Sequence, residues 1–151
     1  MNTPIHRRRF LKTAALAAAA PSLVRADDEP TAPAAKPVIM RTRELMEREP
    51  GKRLWPLYKT AISRTNLVQM QGEGGRHTHP DADHSLYVIR GEVKAWVGGE
   101  EIALSEGDFI SIPAGLPHGY TVAAGRTALL ISLDSPPYDP AKTVPVKAVT
   151  Q

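Results

Sequence analysis

The sequence predicts an all-β domain, a small barrel or sandwich, on three observations. Short segments rich in β-branched and aromatic residues recur at close, regular spacing between residues 61 and 133. Glycine, proline or aspartate punctuates nearly every gap between them. Aromatic residues make up only 5% of a chain that carries 14 Pro and 11 Gly, a balance that suits a turn-rich β domain better than a helical bundle. With 151 residues there is room for one such domain, and two would be cramped.

The expected strands are Ala61–Met70, Ser85–Arg90, Glu92–Val97, Glu101–Leu104, Phe109–Ile112, Tyr120–Ala123 and Thr127–Leu133. Gly98-Gly99 is a two-residue hairpin loop. Ser105 to Asp108 and Ala124-Gly125 turn the chain further on. Gly74-Gly75, Gly91, Gly107 and Gly115 are expected at turns that need special backbone angles. Ahead of the strands, Arg41–Glu49 predicts a short helix with Leu45 and Met46 inward, ended by Pro50-Gly51. Trp55 and Trp96 are expected in the core or an interface. The domain organisation is therefore a leader over 1–26, a Pro/Ala-rich linker over 27–37, a barrel over 38–133 and a Pro-rich tail over 134–151 that can drape over the barrel.

The leader explains the charge. The chain carries 19 Lys and Arg against 16 Asp and Glu, a net +3. Five of the bases, Arg7, Arg8, Arg9, Lys12 and Arg25, fall in the first 26 residues, where there is no acid. Without that segment 14 bases face 16 acids, a net −2, so the basic balance gives no argument for nucleic-acid binding. A positive start, an Ala-rich apolar stretch to Val24 and the small-x-small triplet Val24-Arg25-Ala26 make a secretory signal, with cleavage expected after Ala26. The apolar stretch is too short and weakly hydrophobic for a stable membrane span. Arg7-Arg8-Arg9-Phe10-Leu11-Lys12 resembles the twin-arginine translocation motif, with His6 where Ser or Thr is common. That resemblance implies a periplasmic or secreted protein, the export machinery as a partner, and export in the folded state. The chain has no cysteine, which excludes disulfides and thiolate metal sites.

Five histidines are present, and one, His6, lies in the leader. His77 and His79 are spaced i, i+2, so on an extended segment both imidazoles project to one face. His84 opens a strand, and His118 follows the rigid turn Pro113 to Pro117. All four histidines outside the leader thus fall into two strand-and-turn contexts. A Ser-His-Asp or Cys-His set cannot be built without spending one of them, and there is no phosphate-cradling loop.

The stretch from Gly72 through His77, His79 and His84 to Gly91 resembles the first motif of the cupin superfamily, G-x5-H-x-H-x3/4-E-x6-G. Gly107 through Pro113, Gly115 and His118 to Val122 resembles the second, G-x5-P-x-G-x2-H-x3-N. The segment between them, 92 to 106, has the short length of small single-domain members. The resemblance covers roughly 60 to 133 and implies a cupin β-barrel, the jelly roll or double-stranded β-helix. Three positions depart from it. The leading Gly is one place late, with Gln71 at the motif position; Val122 replaces Asn; and His84 stands where the motif has Glu. Asp83 cannot supply that carboxylate from the same side, because a one-residue slip turns a strand side chain to the opposite face. The resemblance then implies one divalent metal ion held by His77, His79, His84 and His118, the alternative being a three-histidine site with His84 beside it.

Imidazole suits Mn, Fe, Cu, Ni and Zn alike. Cytoplasmic folding before export would favour Mn or Fe. Four neutral ligands leave the full charge of the ion uncompensated, which strengthens a Lewis acid and favours anionic ligands. The expected function is an exported, mononuclear metal-dependent oxidoreductase of dioxygenase type, acting on a small oxygen-chelating substrate. Tyr120, two residues after His118, could line the pocket and exchange protons, with core packing as its other reading. The competing readings are a non-catalytic periplasmic module for a small ligand or metal, and a metal-dependent isomerase or lyase. A homodimer is expected from the small size of the barrel.

Overall fold

A computed structural model describes residues 36–146. The leader, nearly all of the expected linker and residues 147–151 lie outside the described residues. The helix α1 runs Thr42–Arg48. Ten strands follow: β1 (Leu54–Lys59), β2 (Arg64–Met70), β3 (Glu73–Thr78), β4 (Asp83–Arg90), β5 (Val93–Val97), β6 (Glu100–Leu104), β7 (Phe109–Ile112), β8 (His118–Thr121), β9 (Ala128–Ser135) and β10 (Val144–Pro145). They form two five-stranded antiparallel sheets, ordered β1-β2-β9-β4-β7 and β10-β3-β8-β5-β6.

Alternation on β4 and β9 builds the interior. Leu86 and Val88 of β4 are buried while Asp83 and Tyr87 are exposed. Ala128, Leu130, Ser132 and Asp134 of β9 are buried in turn. Leu86, Val88 and Leu130 join Met70, Val93, Ala95, Leu104 and Val122 in one apolar cluster. Each fully buried aliphatic chain there contributes about 1.5–3 kcal/mol relative to exposure. Trp55 is buried, and Trp96 is half-buried beneath the Arg76 guanidinium, 3.9 Å from its ring centre. On α1, Leu45 and Met46 are only half-buried, so the helix supplies no core residue.

Interior polarity is graded along the strands. Across β2 and β9 the inward pairs run Met70 with Ala128, Val68 with Leu130, Asn66 with Ser132, and Arg64 with Asp134. On β4, Leu86 lies opposite Ser132 and His84 opposite Asp134. One end of the barrel is therefore apolar and the other polar, and the polar end holds the histidines.

Seven of the expected strands exist with ends shifted by up to three residues. Three strands were not anticipated. β1 carries Pro56, which its edge position tolerates. β3 reads Glu-Gly-Gly-Arg-His-Thr, too glycine-rich and polar for a strand signal. β10 comes from the Pro-rich tail and pairs with β3. Gly98 and Gly99 turn the β5–β6 hairpin at φ +60° and +107°, as their sequence implies. Gly74 and Gly75 prove not to be turn residues, since they lie within β3. Gly74 is needed for close approach: a β-carbon there would overlap the Tyr120 ring on the neighbouring strand.

Candidate metal centre

Two sheets contribute to the histidine cluster. His77 sits on β3, His79 directly after it, and His118 opens β8. A bulge between Gly74 and His77 puts an extra residue into β3, after which His77 pairs with His118. The turn before β8 is tied to the same place: the Gly115 amide donates to the His79 carbonyl, 2.9 Å. Asp83 points away from the cavity and accepts from the Ala114 amide, 2.9 Å, so its carboxylate braces that turn. His84 points inward from β4 and lines the cavity, as expected from the one-residue slip.

The potential ligand atoms of His77, His79 and His118 lie within 4.8 Å of one another. His84 is not part of that tight group, but its ring centre is 5.4 Å from those of both His79 and His118. The decisive detail is what holds each ring. His77 Nδ1 bonds the Gly75 carbonyl at 2.7 Å, and His118 Nδ1 bonds the Leu116 carbonyl at 2.9 Å. His84 Nδ1 bonds Asp134 Oδ1 at 2.6 Å. Carbonyl and carboxylate oxygens only accept, so these three nitrogens carry the hydrogen and each neutral ring keeps its lone pair on Nε2. His79 Nδ1 has a longer contact, 3.4 Å, with Thr143 Oγ1. His118 Nε2 is buried with no hydrogen-bond partner. An unpaired buried acceptor is costly, and a metal ion is the kind of partner that three or four such nitrogens fit.

Electrostatics favour the ligand form. Burial first, then the neighbouring His84, His77 and His118 rings, push His79 down to about 4, against a smaller pull from Asp134. Burial also pushes His118 down to about 4, with the Leu116 bond opposing. Both are neutral at physiological pH. Burial alone would raise the Asp134 carboxyl, but the His84 hydrogen bond and charge, joined by those of Arg64, outweigh it and hold the group below its ordinary value. Arg64 donates to Asp134 Oδ2 through Nε at 3.1 Å and Nη2 at 2.9 Å. A buried carboxylate is thus held between an arginine and a histidine.

The cluster opens on a cavity of about 200 Å³ whose deeper wall is apolar, with Val68, Leu86, Val93 and Ile112. Tyr120 lines it and also packs against the apolar core. Tyr138, in the segment after β9, stacks on His79 at 4.0 Å between ring centres with 22° between planes. The Arg64 guanidinium lies 4.2 Å from the centre of the Tyr138 ring. Arg64, Asp134 and Tyr138 were absent from the sequence-based site. Inward spacing at i, i+2 along Leu130, Ser132 and Asp134 was the signal for the second of them.

A two-sheet antiparallel barrel with this histidine placement can be set beside known proteins. The Cupin_2 cupin-domain family matches residues 66–134. The barrel is a cupin domain. The twin-arginine translocation signal family matches residues 4–24, so the cupin is exported by that pathway. Among the described residues no helix is long and apolar enough to cross a membrane. Quercetin 2,3-dioxygenase of Bacillus subtilis is 34% identical over 80 residues, which is 46% of this chain and 24% of that one. The matched part thus spans about a quarter of that relative's length. Among solved structures, TT1209 of Thermus thermophilus is 28% identical with a TM-score of 0.57, covering 66% of this chain and 97% of that one. KdgF of a Halomonas species is 27% identical with a TM-score of 0.53, covering 57% and 79%.

Proposed function

We propose that the mature protein is a mononuclear metal-dependent oxidoreductase of dioxygenase type, acting outside the cytoplasm on a small oxygen-chelating molecule such as an enol, diketone or polyphenol. The observation that carries the proposal is the hydrogen bonding at Nδ1 of His77, His84 and His118, which reserves Nε2 of each ring for an ion. His77, His79 and His118 form the tight part of the ligand set and His84 completes it. A divalent ion bound there would supply Lewis acidity and open positions for oxygen donors. The likeness to a quercetin 2,3-dioxygenase supports the same reaction class.

The chain's own residues would then share the work. The apolar wall excludes water and seats the carbon frame of a substrate. Tyr120 lines the cavity two residues from His118, where its hydroxyl can hold a proton for exchange with a bound enol. Arg64 and Asp134 fix the orientation of His84.

Oxygen uptake by the metal-loaded mature protein, measured over small enols, diketones and catechols, tests the reading. We expect uptake that depends on the ion, and a kcat about 100-fold lower in Tyr120→Phe. No uptake with any of the five metals would overturn it in favour of a binding module. A homodimer is also part of the proposal. Directly opposed residues Ile131, Tyr87 and Phe109 form an apolar row across β9, β4 and β7, and Phe109 remains 64% exposed. Sedimentation of the mature protein as a monomer at micromolar concentration would exclude that part.

A further inference from the structure

Of the residues that line the histidine cavity, only His79 and Tyr138 lie outside the strands, and these two stack on each other. Tyr138 belongs to a strap, residues 136–146, that leaves β9 and is fastened at its far end. There Val144 and Pro145 pair with Thr78 and His77, and the Val146 amide donates to the Arg76 carbonyl at 2.9 Å. Lys142 Nζ donates to Asp81 Oδ2 at 2.6 Å. Between those anchors Pro136 and the stretch Asp139–Lys142 are exposed, while Tyr138 is half-buried against the cavity. The ring is held from the barrel side by the Arg64 guanidinium, which at the same time grips Asp134.

In this arrangement the cavity is small, and two of its histidines are buried. Its volume of about 200 Å³ is below the range of about 300–1,000 Å³ that takes drug-sized ligands. His79 and His118 are 4% and 6% exposed, and His118 Nε2 is out of contact with solvent. The walls are hydrogen-bonded strands that cannot yield without breaking a sheet. Tyr138 is held by a stack and a cation–π contact, each worth only about 0.5–2 kcal/mol.

We propose that Tyr138 is the specificity-determining residue of this cavity: its ring closes the approach to the histidines, limits ligands to about one ring in size, and must swing off His79 to admit them. The proposal rests on the small-molecule reading of the site for its ligand class, but not for the gate itself. Displacing Tyr138 would free the flat face of His79 for a planar ligand to take the same stacking position. Arg64 links the gate to the ligand set, since the guanidinium that steadies Tyr138 also holds the carboxylate that orients His84.

The gate is tested on the metal-free mature protein by following carbethoxylation of each histidine with diethyl pyrocarbonate, with mass spectrometry as the readout and free imidazole as the reference. Tyr138→Ala should label His118 and His79 about tenfold faster than the wild type, and Tyr138→Phe, which keeps the ring, should label within about twofold of it. Equal rates in wild type and Tyr138→Ala would overturn the gate, as would a Tyr138→Phe rate matching that of Tyr138→Ala. Size selection is tested on the zinc-loaded protein by calorimetric titration with catechol and with the two-ring naphthalene-2,3-diol. The wild type should prefer catechol by about tenfold, and Tyr138→Ala should lose that preference. An unchanged preference would overturn the size limit. Failure of either diol to bind, with the labelling contrast intact, would count against the chelating-substrate reading and leave the gate standing.

Discussion

The two sheets hold the same residue type in two different ways. On the β3–β8 side, His77 and His118 are anchored by backbone carbonyls, and no charged side chain takes part in their hydrogen bonds. On the β4–β9 side, His84 is anchored by a buried carboxylate that is itself gripped by an arginine. Carbonyl anchors come with the strand and turn geometry and need no further compensation. A carboxylate anchor makes a more basic imidazole but requires Arg64 to balance the buried charge. The first half is set by backbone shape and the second by electrostatics, and the two halves should fail differently.

The largest difference is expected in metal binding. His118→Ala removes one of the three tightly grouped imidazoles and should weaken zinc binding by about 100-fold or more. His84→Ala leaves that group intact and should cost about tenfold. Competitive titration against a chromophoric chelator checks both, and equal losses would erase the distinction between the halves. Next comes stability. Asp134→Asn strands Arg64 and loosens His84, at a cost of about 3 kcal/mol to the metal-free protein by chemical denaturation. A change below about 0.5 kcal/mol would mean that the carboxylate is not an anchor.

The smallest effect is on pH dependence. His79 and His118 titrate near 4 in the folded chain against about 6.5 when unfolded. The unfolded state therefore binds more protons between those values, and stability falls as pH drops from 6.5 toward 4. Thermal melts of the metal-free protein over that window should show a falling Tm. His118→Ala should flatten part of the slope, whereas His84→Ala should remove one of the neighbouring charges that depress both His79 and His118 and so reduce the slope by less, since burial is the first cause at each. A Tm independent of pH across the window would contradict the account.

Legibility in the sequence followed the same division. Carbonyl-anchored histidines need little beyond their own motif, so His77 and His118 could be read from spacing and turn residues, and His79 from its i, i+2 spacing to His77. The inward direction of His84 followed from period-two alternation on β4. Its anchor was harder to read. Asp134 looks like a strand end, because a charge after Leu129–Leu133 suggests solvent, and only its pairing with Arg64 across β9 and β2 shows that the charge is balanced indoors. Tyr138 was hidden among prolines in a segment with no periodicity, and β3 among glycines. Its strand character comes from pairing with β8 and from the close approach of Tyr120 to Gly74, which are tertiary effects. The fold was thus legible from its apolar alternation, and the supports of the site were not, because they are long-range pairs of charges and rings.

The central claim is that four imidazoles, one held by charge and the others by the opposite side of the barrel, converge on one ion. X-ray absorption at the zinc edge of the zinc-loaded mature protein and of His84→Ala tests it most directly. The account predicts four imidazole nitrogens at about 2.0–2.1 Å in the wild type and three in the variant, with a water oxygen taking the vacated place. Identical imidazole counts in the two proteins would contradict it, and would leave His84 and Asp134 as a hydrogen-bonded pair beside a three-histidine site.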